Sequence, residues 1–324
     1  MNHMNHMNPL NFKEFVQNRS KDEKLYKTFK KLLKPPIKPN PKIVFLGKGK
    51  NGIVYKIDED TTIKIFNNIN LDCPRNNKYA KFCTFFYNEV MIGMLLNNLV
   101  VQNICYNFPI IKTAMILNDI GVITRDFSDY VFSDFLKQTF DIRIINNLIL
   151  QYFMAIAIIH AKYQSNILDN KLSNLYVKKT NKKKLVYIIE NKTYEIDCYG
   201  YLLIIGDYGA NKFNYPQGDY FVQLVKYINN SMMHLPKKHP KMSKEAQATY
   251  ELYRQIYFDG LYNPYVEHVF FGIHLDKFCK ENNRNFDILD EYKKITKFYR
   301  NGDVLLRHNL SMIQLVNILF SKYV

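Results

Sequence analysis

The chain has no tryptophan and only five cysteines, and it lacks an apolar run long enough to cross a membrane. The longest such run, 148–159, covers 12 residues where a span needs about 20, so we expect a buried helix and no transmembrane segment. No C-x-x-C pair and no H-x-x-x-H pattern occurs, which leaves a zinc site with little support. The cysteines, which we expect to be free thiols in a reducing compartment, are Cys73, Cys83, Cys105, Cys198 and Cys279.

Acidic side chains are scarce beside basic ones, 29 against 45, which gives a net charge of +16. This excess leaves open a nucleic-acid-binding protein, whose binding would weaken steeply with salt. However, 37 of the 45 basic residues are Lys, and they are spread along the chain without an RNA-reading signature. Because Asn, Ile, Tyr and Phe are abundant as well, an AT-rich coding sequence explains the charge, and we expect no specific nucleic-acid partner.

Glycine is also sparse, with 12 residues, but three of them fall in the segment LGKGKNGIV at 46–54. The spacing G-x-G-x-x-G lets a backbone approach phosphate groups, and Lys64, between two isoleucines, follows as a positive charge for phosphate oxygens. The same spacing opens dinucleotide-binding folds, where the glycines lead into a helix. Here 53–66 alternates as strand, turn at 58–60 and strand, so a hairpin that covers phosphates is favoured.

The order of the predicted elements indicates an α+β protein rather than an alternating β-α-β one. Residues 79–98 predict a helix with Glu89 in its middle, 108–125 predict two strands, and 140–161 predict a long apolar helix. The segment before the glycine motif, 10–34, predicts one or two basic amphipathic helices. These either dock on the domain that follows or form a membrane-surface or partner-binding element.

Two further segments complete the pattern. ILDNKLSNL places Asp169, Lys171 and Asn174 at the spacing D-x-K-x-x-N, and LLIIGDYG places Asp207 in a D-Y-G turn. The glycine segment, strand lysine, helix glutamate, D-x-K-x-x-N loop and D-Y-G turn, in this order, resemble the eukaryotic-type protein kinase family over about 42–320.

The resemblance implies a bilobal fold, with one lobe formed by a small antiparallel β-sheet with one helix and the other mainly helical. It divides the chain into a basic helical extension (1–41), an N-lobe (42–127) and a C-lobe (128–324). Alternation of apolar and polar residues within about 178–200 predicts a β-hairpin inserted in the C-lobe.

The resemblance also implies ATP and Mg²⁺ as cofactors. Asn174 and Asp207 would hold the metal through hard oxygen atoms, which Mg²⁺ prefers. Peptide groups near 124–128 would contact the adenine. The residues that would contact the nucleotide are Gly47, Lys48, Gly49, Gly52, Val54 and Lys64.

The catalytic roles follow from the same resemblance, since phosphoryl transfer needs positioning and charge neutralisation. Asp169 would accept the proton of the substrate hydroxyl, and Lys171 would reach the transferred phosphoryl group. Glu89 would form an ion pair with Lys64 and hold that lysine on the phosphates.

The chain departs from the family in three ways. Ile and Leu replace the His-Arg pair before the catalytic aspartate, and only nine residues separate Gly209 from Asp219, which resembles the aspartate that opens the central helix of the C-lobe. Both changes imply an enzyme without control by activation-loop phosphorylation. The third departure is the 32 residues between Asn174 and Asp207. Together with the composition, which AT-rich protists share, these features resemble divergent serine/threonine kinases of large double-stranded DNA viruses, including the poxvirus type.

The leading interpretation is an ATP-dependent protein serine/threonine kinase. The Lys-rich segments 21–34, 178–184 and 237–244 are expected to be solvated surface, with attraction of acidic protein substrates or membranes as the alternative. The enzyme would be cytoplasmic, in the host cytoplasm if the chain is viral, with association with the virion as an alternative. A pseudokinase scaffold is a second interpretation, but such chains usually lose the strand lysine, the catalytic aspartate or the metal aspartate. A small-molecule kinase of the aminoglycoside or choline type is a third, against which the three glycines and Lys171 count. The sequence carries no indication of the oligomeric state.

Overall fold

The computed structural model describes residues 15–33, 43–49, 52–67, 69, 80–165, 171–210, 267–296 and 311–323. Within these ranges the protein is α+β, as the sequence predicts, with one six-stranded sheet, two smaller sheets and several helices. The strands are β1 (Val16–Asn18), β2 (Val44–Lys48), β3 (Ile53–Lys56), β4 (Thr61–Asn67), β5 (Ile111–Leu117), β6 (Ile120–Asp126), β7 (Tyr130–Val131), β8 (Leu175–Lys179), β9 (Lys184–Ile189), β10 (Lys192–Asp197) and β11 (Tyr201–Ile205). The helices are α1 (Glu23–Leu32), α2 (Ala80–Val101), α3 (Phe132–Gln138), α4 (Ile142–Tyr163), α5 (Glu267–Glu281), α6 (Asp287–Thr296) and α7 (Met312–Tyr323).

The six-stranded sheet has the strand order β1-β5-β6-β4-β3-β2. Neighbouring strands are antiparallel, except that β1 pairs in parallel with β5. The two central strands, β4 and β6, are buried on both faces. Ile63, Ile65 and Val122 pack into one cluster, while Phe66 and Ile123 pack into another on the opposite face. Burial of both faces explains why these strands read as nearly continuous apolar runs.

Helix α2 covers one face of the sheet. Phe86 and Met91 of the helix belong to the same buried cluster as Phe66 of β4. Gly121 of β6 makes this close contact possible, because a Cβ atom there would lie 2.5 Å from the ring of Phe86. The packing of α2 directly against the central strands carries its middle, including Glu89, into the interior.

Helix α1 covers the other face of the sheet. Its Phe29 and Leu32 are buried with apolar residues of β3, β4 and β6. The hydroxyl of Tyr55 on β3 donates a hydrogen bond of 2.5 Å to the Leu32 carbonyl, and Lys30 forms an ion pair of 2.9 Å with Asp119. The amphipathic helix predicted in this region therefore docks on the sheet with its apolar side.

The start of that region differs from the prediction of helices over 10–34. Val16–Asn18 forms strand β1, whose partner residues are 114–116 of β5. Backbone hydrogen bonds to β5, which is distant in sequence, hold β1 in place. The local pattern of apolar and polar residues does not predict such pairing. The helix begins only at Glu23, where the Asp22 side chain accepts a hydrogen bond from the backbone N–H of Leu25.

Helix α4 lies in a further apolar core, separate from the two clusters on the faces of the six-stranded sheet. The ring of Tyr152 stacks on Phe271 of α5 at 3.9 Å between centroids, and Phe153 stacks on Tyr292 of α6 at 5.7 Å. Among the described residues, α4 is the one helix long and apolar enough to cross a membrane by length and composition. Of its most apolar window, 78% is buried inside the protein, so it has the environment of a core helix.

The hairpin β9–β10 lies within the insert predicted at about 178–200. Glu190 and Asn191 form its tip with φ angles of 47° and 66°, the left-handed conformation that a tight hairpin turn requires. The hairpin is anchored to the core because the buried hydroxyl of Tyr187 donates a hydrogen bond of 2.8 Å to Asn107 Oδ1. The lobe boundaries inferred from the sequence stay predictions.

Three of the five cysteines, Cys105, Cys198 and Cys279, are buried free thiols. Burial raises the pKa of the Cys105 thiol to about 12, so this side chain stays protonated and unreactive at neutral pH. Cys73 lies outside the described residues, as does the side chain of Cys83.

Candidate active site

Strands β2 and β3 form a hairpin whose turn carries the glycine segment, and we call it the glycine hairpin. The hairpin predicted over 53–66 is the next one along the chain, formed by β3 and β4 around the predicted turn at 58–60. The backbone N–H of Gly49 donates a hydrogen bond of 2.9 Å to the carbonyl of Gly52, which closes the turn. Residues 50 and 51, between them, lie outside the described residues. At Gly52 a Cβ atom would lie 2.6 Å from the carbonyl oxygen of Ile65 on β4. Glycine is therefore required at this position for the hairpin to lie close to the strand that carries the lysine.

Lys64 bridges two carboxylates from distant parts of the chain. Its Nζ lies 2.5 Å from Glu89 Oε2 on α2 and 2.8 Å from Asp207 Oδ1 in the turn after β11. The side chains of Lys64 and Glu89 are 8% and 2% exposed, so the bridge is nearly excluded from solvent. Burying charged groups costs desolvation free energy, and strongly perturbed ionisable groups concentrate at functional sites. The cluster is therefore a candidate functional site.

The charges of the cluster determine the protonation of its members. Burial alone would lower the pKa of Lys64, but the negative charges of Asp207 and Glu89 offset burial and raise it. The positive charge of Lys64 holds the pKa of Asp207 below its usual value, against the effect of burial. Burial raises the pKa of Glu89, although Lys64 opposes that shift. At neutral pH the cluster therefore presents a charged lysine and an ionised Asp207 side by side.

Asp207 occupies a strained turn that α2 holds in position. Its φ angle is 62°, a left-handed conformation that is uncommon outside glycine and that concentrates at functional sites. The side chain of Asn88, next to Glu89 on α2, donates a hydrogen bond of 3.1 Å to the carbonyl of Gly209. Gly209 itself leaves no room for a side chain, since a Cβ atom would lie 2.8 Å from the ring of Phe85. One helix thus positions both carboxylates that bind Lys64.

Lys171 and Asn174 come to the same place because β8 and β11 are paired. Asn174 ends a short 3-10 helix just before β8, and its carbonyl accepts a hydrogen bond of 3.1 Å from the backbone N–H of Gly206, just after β11. The positive charge of Lys171 is among those that lower the pKa of Asp207, which places the two side chains in one electrostatic environment. The predicted catalytic Asp169 and the predicted helix-opening Asp219 lie outside the described residues.

These elements surround a cavity of about 810 Å³. Glu89 does not reach its surface and instead lies behind Lys64. The volume suits a nucleotide-sized ligand. The predicted site residues that line the cavity are Gly47, Lys48, Gly49, Gly52, Val54, Lys64, Lys171, Asn174 and Asp207.

Sequence reasoning missed several residues that line this cavity, among them Arg125 and Tyr176. Arg125 is the second-last residue of β6, with its Nη1 3.5 Å from Glu89 Oε1, and Tyr176 is the second residue of β8. Side chains alternate between the two faces of a strand, so Arg125 lies on the same face of β6 as the buried Ile123. That alternation could have predicted that Arg125 points inward. Tyr176 carried no comparable signal, since its role depends on where β8 lies.

The donor atoms of the site fit Mg²⁺ better than a transition metal. Asp207 and Asn174 supply a carboxylate and an amide oxygen, and Mg²⁺ is usually bound by one or two such side chains with water and phosphate oxygens completing its shell. The described part of the chain holds no group of three His, Cys, Asp or Glu side chains placed to bind a metal. The site therefore suits a metal ion that binds together with a phosphate ligand.

No protein-family model matches this chain, and no curated protein matches it either. The site is consequently characterised by its own geometry: a buried Lys64–Glu89 pair, an adjacent Asp207 and a glycine hairpin around one cavity.

Proposed function

We propose that this protein is an ATP- and Mg²⁺-dependent protein kinase that transfers the γ-phosphate to serine or threonine hydroxyls. The observation that supports it most strongly is Lys64, which pairs with both Glu89 and Asp207 at the wall of a cavity roofed by the glycine hairpin. Kinases need this lysine, its glutamate partner and the metal-binding aspartate in place together. In this proposal the six-stranded sheet with α2 is the smaller lobe of a bilobal kinase-like fold, and α4 to α7 belong to the larger.

The side chains of the site have the chemistry that phosphoryl transfer requires. Bound Mg·ATP supplies the phosphoryl group together with the metal charge that neutralises it. Lys64 donates hydrogen bonds to phosphate oxygens, while Glu89 restricts the lysine to one position. Asp207, kept ionised by Lys64, and Asn174 offer oxygen atoms to the metal.

The remaining roles concern the acceptor. Asp169 takes the proton from the attacking hydroxyl, and Lys171 stabilises the charge on the transferred group. Lys171 lines the same cavity as Asp207, which is compatible with that role. The separation of these tasks between two chain segments explains why the pairing of β8 with β11 matters to the site.

Transfer of labelled γ-phosphate to protein tests the proposal. The purified protein, with Mg²⁺ and an acidic or a basic protein substrate, is expected to label serine or threonine, and Asp169→Asn or Asp207→Asn should reduce labelling about a hundredfold or more. Glu59→Gln is the matched control, because it also converts a carboxylate to an amide but in the exposed turn before β4. Labelling that Asp207→Asn leaves unchanged would overturn the metal assignment.

The same experiment separates the other two interpretations. A protein that binds ATP but labels no protein, and labels aminoglycosides or choline instead, is a small-molecule kinase. A protein that binds ATP and labels nothing is a scaffold. Either result refutes protein phosphorylation while retaining the nucleotide site.

A further inference from the structure

Arg125 is a buried cation at the surface of the cavity that the proposed reaction does not use. Its side chain is 9% exposed, and it lines the cavity together with Thr62 and Tyr176. Its closest opposite charge is Glu89, at 3.5 Å, and its guanidinium lies 5.6 Å from the centre of the Tyr176 ring. Within the described part of the chain, the guanidinium forms no hydrogen bond with another residue.

A guanidinium in a single ion pair keeps donors to spare, and Arg125 lines the cavity. The group has five N–H donors in a fixed plane. None of its nitrogen atoms is among the fully buried side-chain atoms of the described residues that lack a hydrogen bond, so they remain open to the cavity. Arg125 remains charged at all relevant pH values, so all of its donors are kept. Acceptor atoms of a ligand in the cavity would complete its hydrogen bonding.

The position of Arg125 shows which part of a nucleotide it would meet. In the sheet, Arg125 is directly opposite Thr62, and Lys64 is two residues further along β4, on the same face. The chain leaves β6 after Asp126 and continues along the cavity as residues 127–131. The glycine hairpin, Lys64 and Asp207 suit the phosphates. The backbone of Arg125 lies beyond Lys64 as seen from the glycine turn, and its side chain turns back toward Glu89. Arg125 therefore stands between the phosphate end of the cavity and the end left for the base. The Tyr176 ring offers a planar apolar surface there.

We propose that Arg125 selects the nucleobase and makes the pocket accept 6-oxopurine nucleotides, such as GTP, at least as well as ATP. Guanine presents two acceptors, O6 and N7, on one edge, and the fork of an arginine donates to both. Adenine presents N7 beside an amino group, which is itself a donor, so it can satisfy only one of them. This inference rests on the proposed function for the presence of a nucleotide in the cavity.

Calorimetric titration of the full chain tests the inference without relying on catalysis. ATP, GTP and ITP are compared in the presence of Mg²⁺, in the wild type and in Arg125→Met. ITP has an oxygen in place of the 6-amino group of ATP, with a proton on N1, and it lacks the 2-amino group of GTP, so it shows whether the O6–N7 edge or the 2-amino group is recognised. We expect GTP and ITP to bind the wild type at least as tightly as ATP. Arg125→Met should weaken GTP and ITP relative to ATP by about tenfold.

A control variant and the nucleosides distinguish base recognition from phosphate recognition. Arg143→Met, which removes an exposed arginine on α4, should leave the GTP-to-ATP ratio unchanged. Guanosine and inosine, which have no phosphates, should retain their advantage over adenosine in the wild type. If Arg125→Met weakens the binding of all three triphosphates equally and leaves the binding of the nucleosides unchanged, Arg125 binds phosphate and the inference is wrong.

Failure of the inference can be told apart from failure of the proposed function. ATP binding that is tenfold or more tighter than GTP and ITP binding, with an unchanged ratio in Arg125→Met, refutes base selection but leaves the kinase proposal intact. Absence of binding by every nucleotide refutes both. If Arg125→Met does not fold, the comparison of ITP with ATP in the wild type still decides.

Discussion

Replacing Lys64 by methionine removes the cation that two carboxylates share. Methionine keeps most of the aliphatic stem, so the substitution mainly deletes charge. Breaking a buried ion pair by removing one partner destabilises a protein by about 3–5 kcal/mol, because the other charge stays buried. Arg125 remains 3.5 Å from Glu89 and offsets part of that penalty. We therefore expect the lower end, about 3 kcal/mol less free energy of unfolding.

A double-mutant cycle with Glu89→Gln shows whether the loss comes from this pair. If Lys64→Met acts by stranding Glu89, then removing the carboxylate charge as well should recover part of the loss. The coupling energy should be about 1–3 kcal/mol, as for residues in direct contact. Because the chain has no tryptophan and 25 tyrosines, urea unfolding is followed by tyrosine fluorescence and far-ultraviolet circular dichroism.

The control is Lys27→Met, which breaks an exposed i,i+4 pair with Glu23 on α1 and should change stability little. A coupling energy between Lys64 and Glu89 below about 0.5 kcal/mol would refute the reasoning, since contacting residues with a shared buried charge cannot be independent. The same Lys64→Met protein should transfer phosphate about a hundredfold more slowly or worse.

Two further predictions concern the glycine hairpin and pH. Gly52→Ala should lower nucleotide affinity about tenfold or more, because its Cβ would lie 2.6 Å from the Ile65 carbonyl and must displace the hairpin. A Cβ atom at Gly47 would have no protein atom within 4 Å, so Gly47→Ala should leave the stability of the free protein unchanged, unlike Gly52→Ala. An equal loss of stability in Gly47→Ala and Gly52→Ala would contradict this reasoning. The folded-state pKa of Asp207 is lowered, so its stabilisation is complete above the unfolded pKa of about 4 and is lost as pH falls through the folded pKa. In urea unfolding, the stability difference between the wild type and Asp207→Asn should therefore be constant from about pH 7 to 5 and should shrink below about pH 4. A difference that grows on acidification would contradict the pairing of Asp207 with Lys64.

Much of the fold could be predicted because the relevant signals are local. The helix expected at 140–161 is α4, Ile142–Tyr163, and its start at Asp141 follows from a side chain that accepts a hydrogen bond from the Arg143 backbone N–H. Its end follows from Gln164, whose left-handed conformation cannot be inferred from residue type alone. Strand β1 was missed for a different reason, since parallel pairing with β5 depends on residues about 100 positions away.

The site divides in the same way between local and distant signals. Motif spacing pointed to Lys64 and Asp207, and the resemblance to kinases, rather than any motif of its own, supplied the expectation that Glu89 pairs with Lys64. The spacing could not predict that Asn88 would bind the Gly209 carbonyl, or that Arg125 would share Glu89. Both contacts depend on how α2 lies across the sheet, which only the packed core determines.

The most direct test of the central claim is the affinity for ATP with and without Mg²⁺, measured by calorimetry in the wild type and in Asp207→Asn. If Lys64, Asn174 and Asp207 form a metal–nucleotide site, Mg²⁺ should tighten ATP binding in the wild type, and Asp207→Asn should remove most of that effect while the protein stays folded. ATP that does not bind the wild type, with or without Mg²⁺, would contradict the claim.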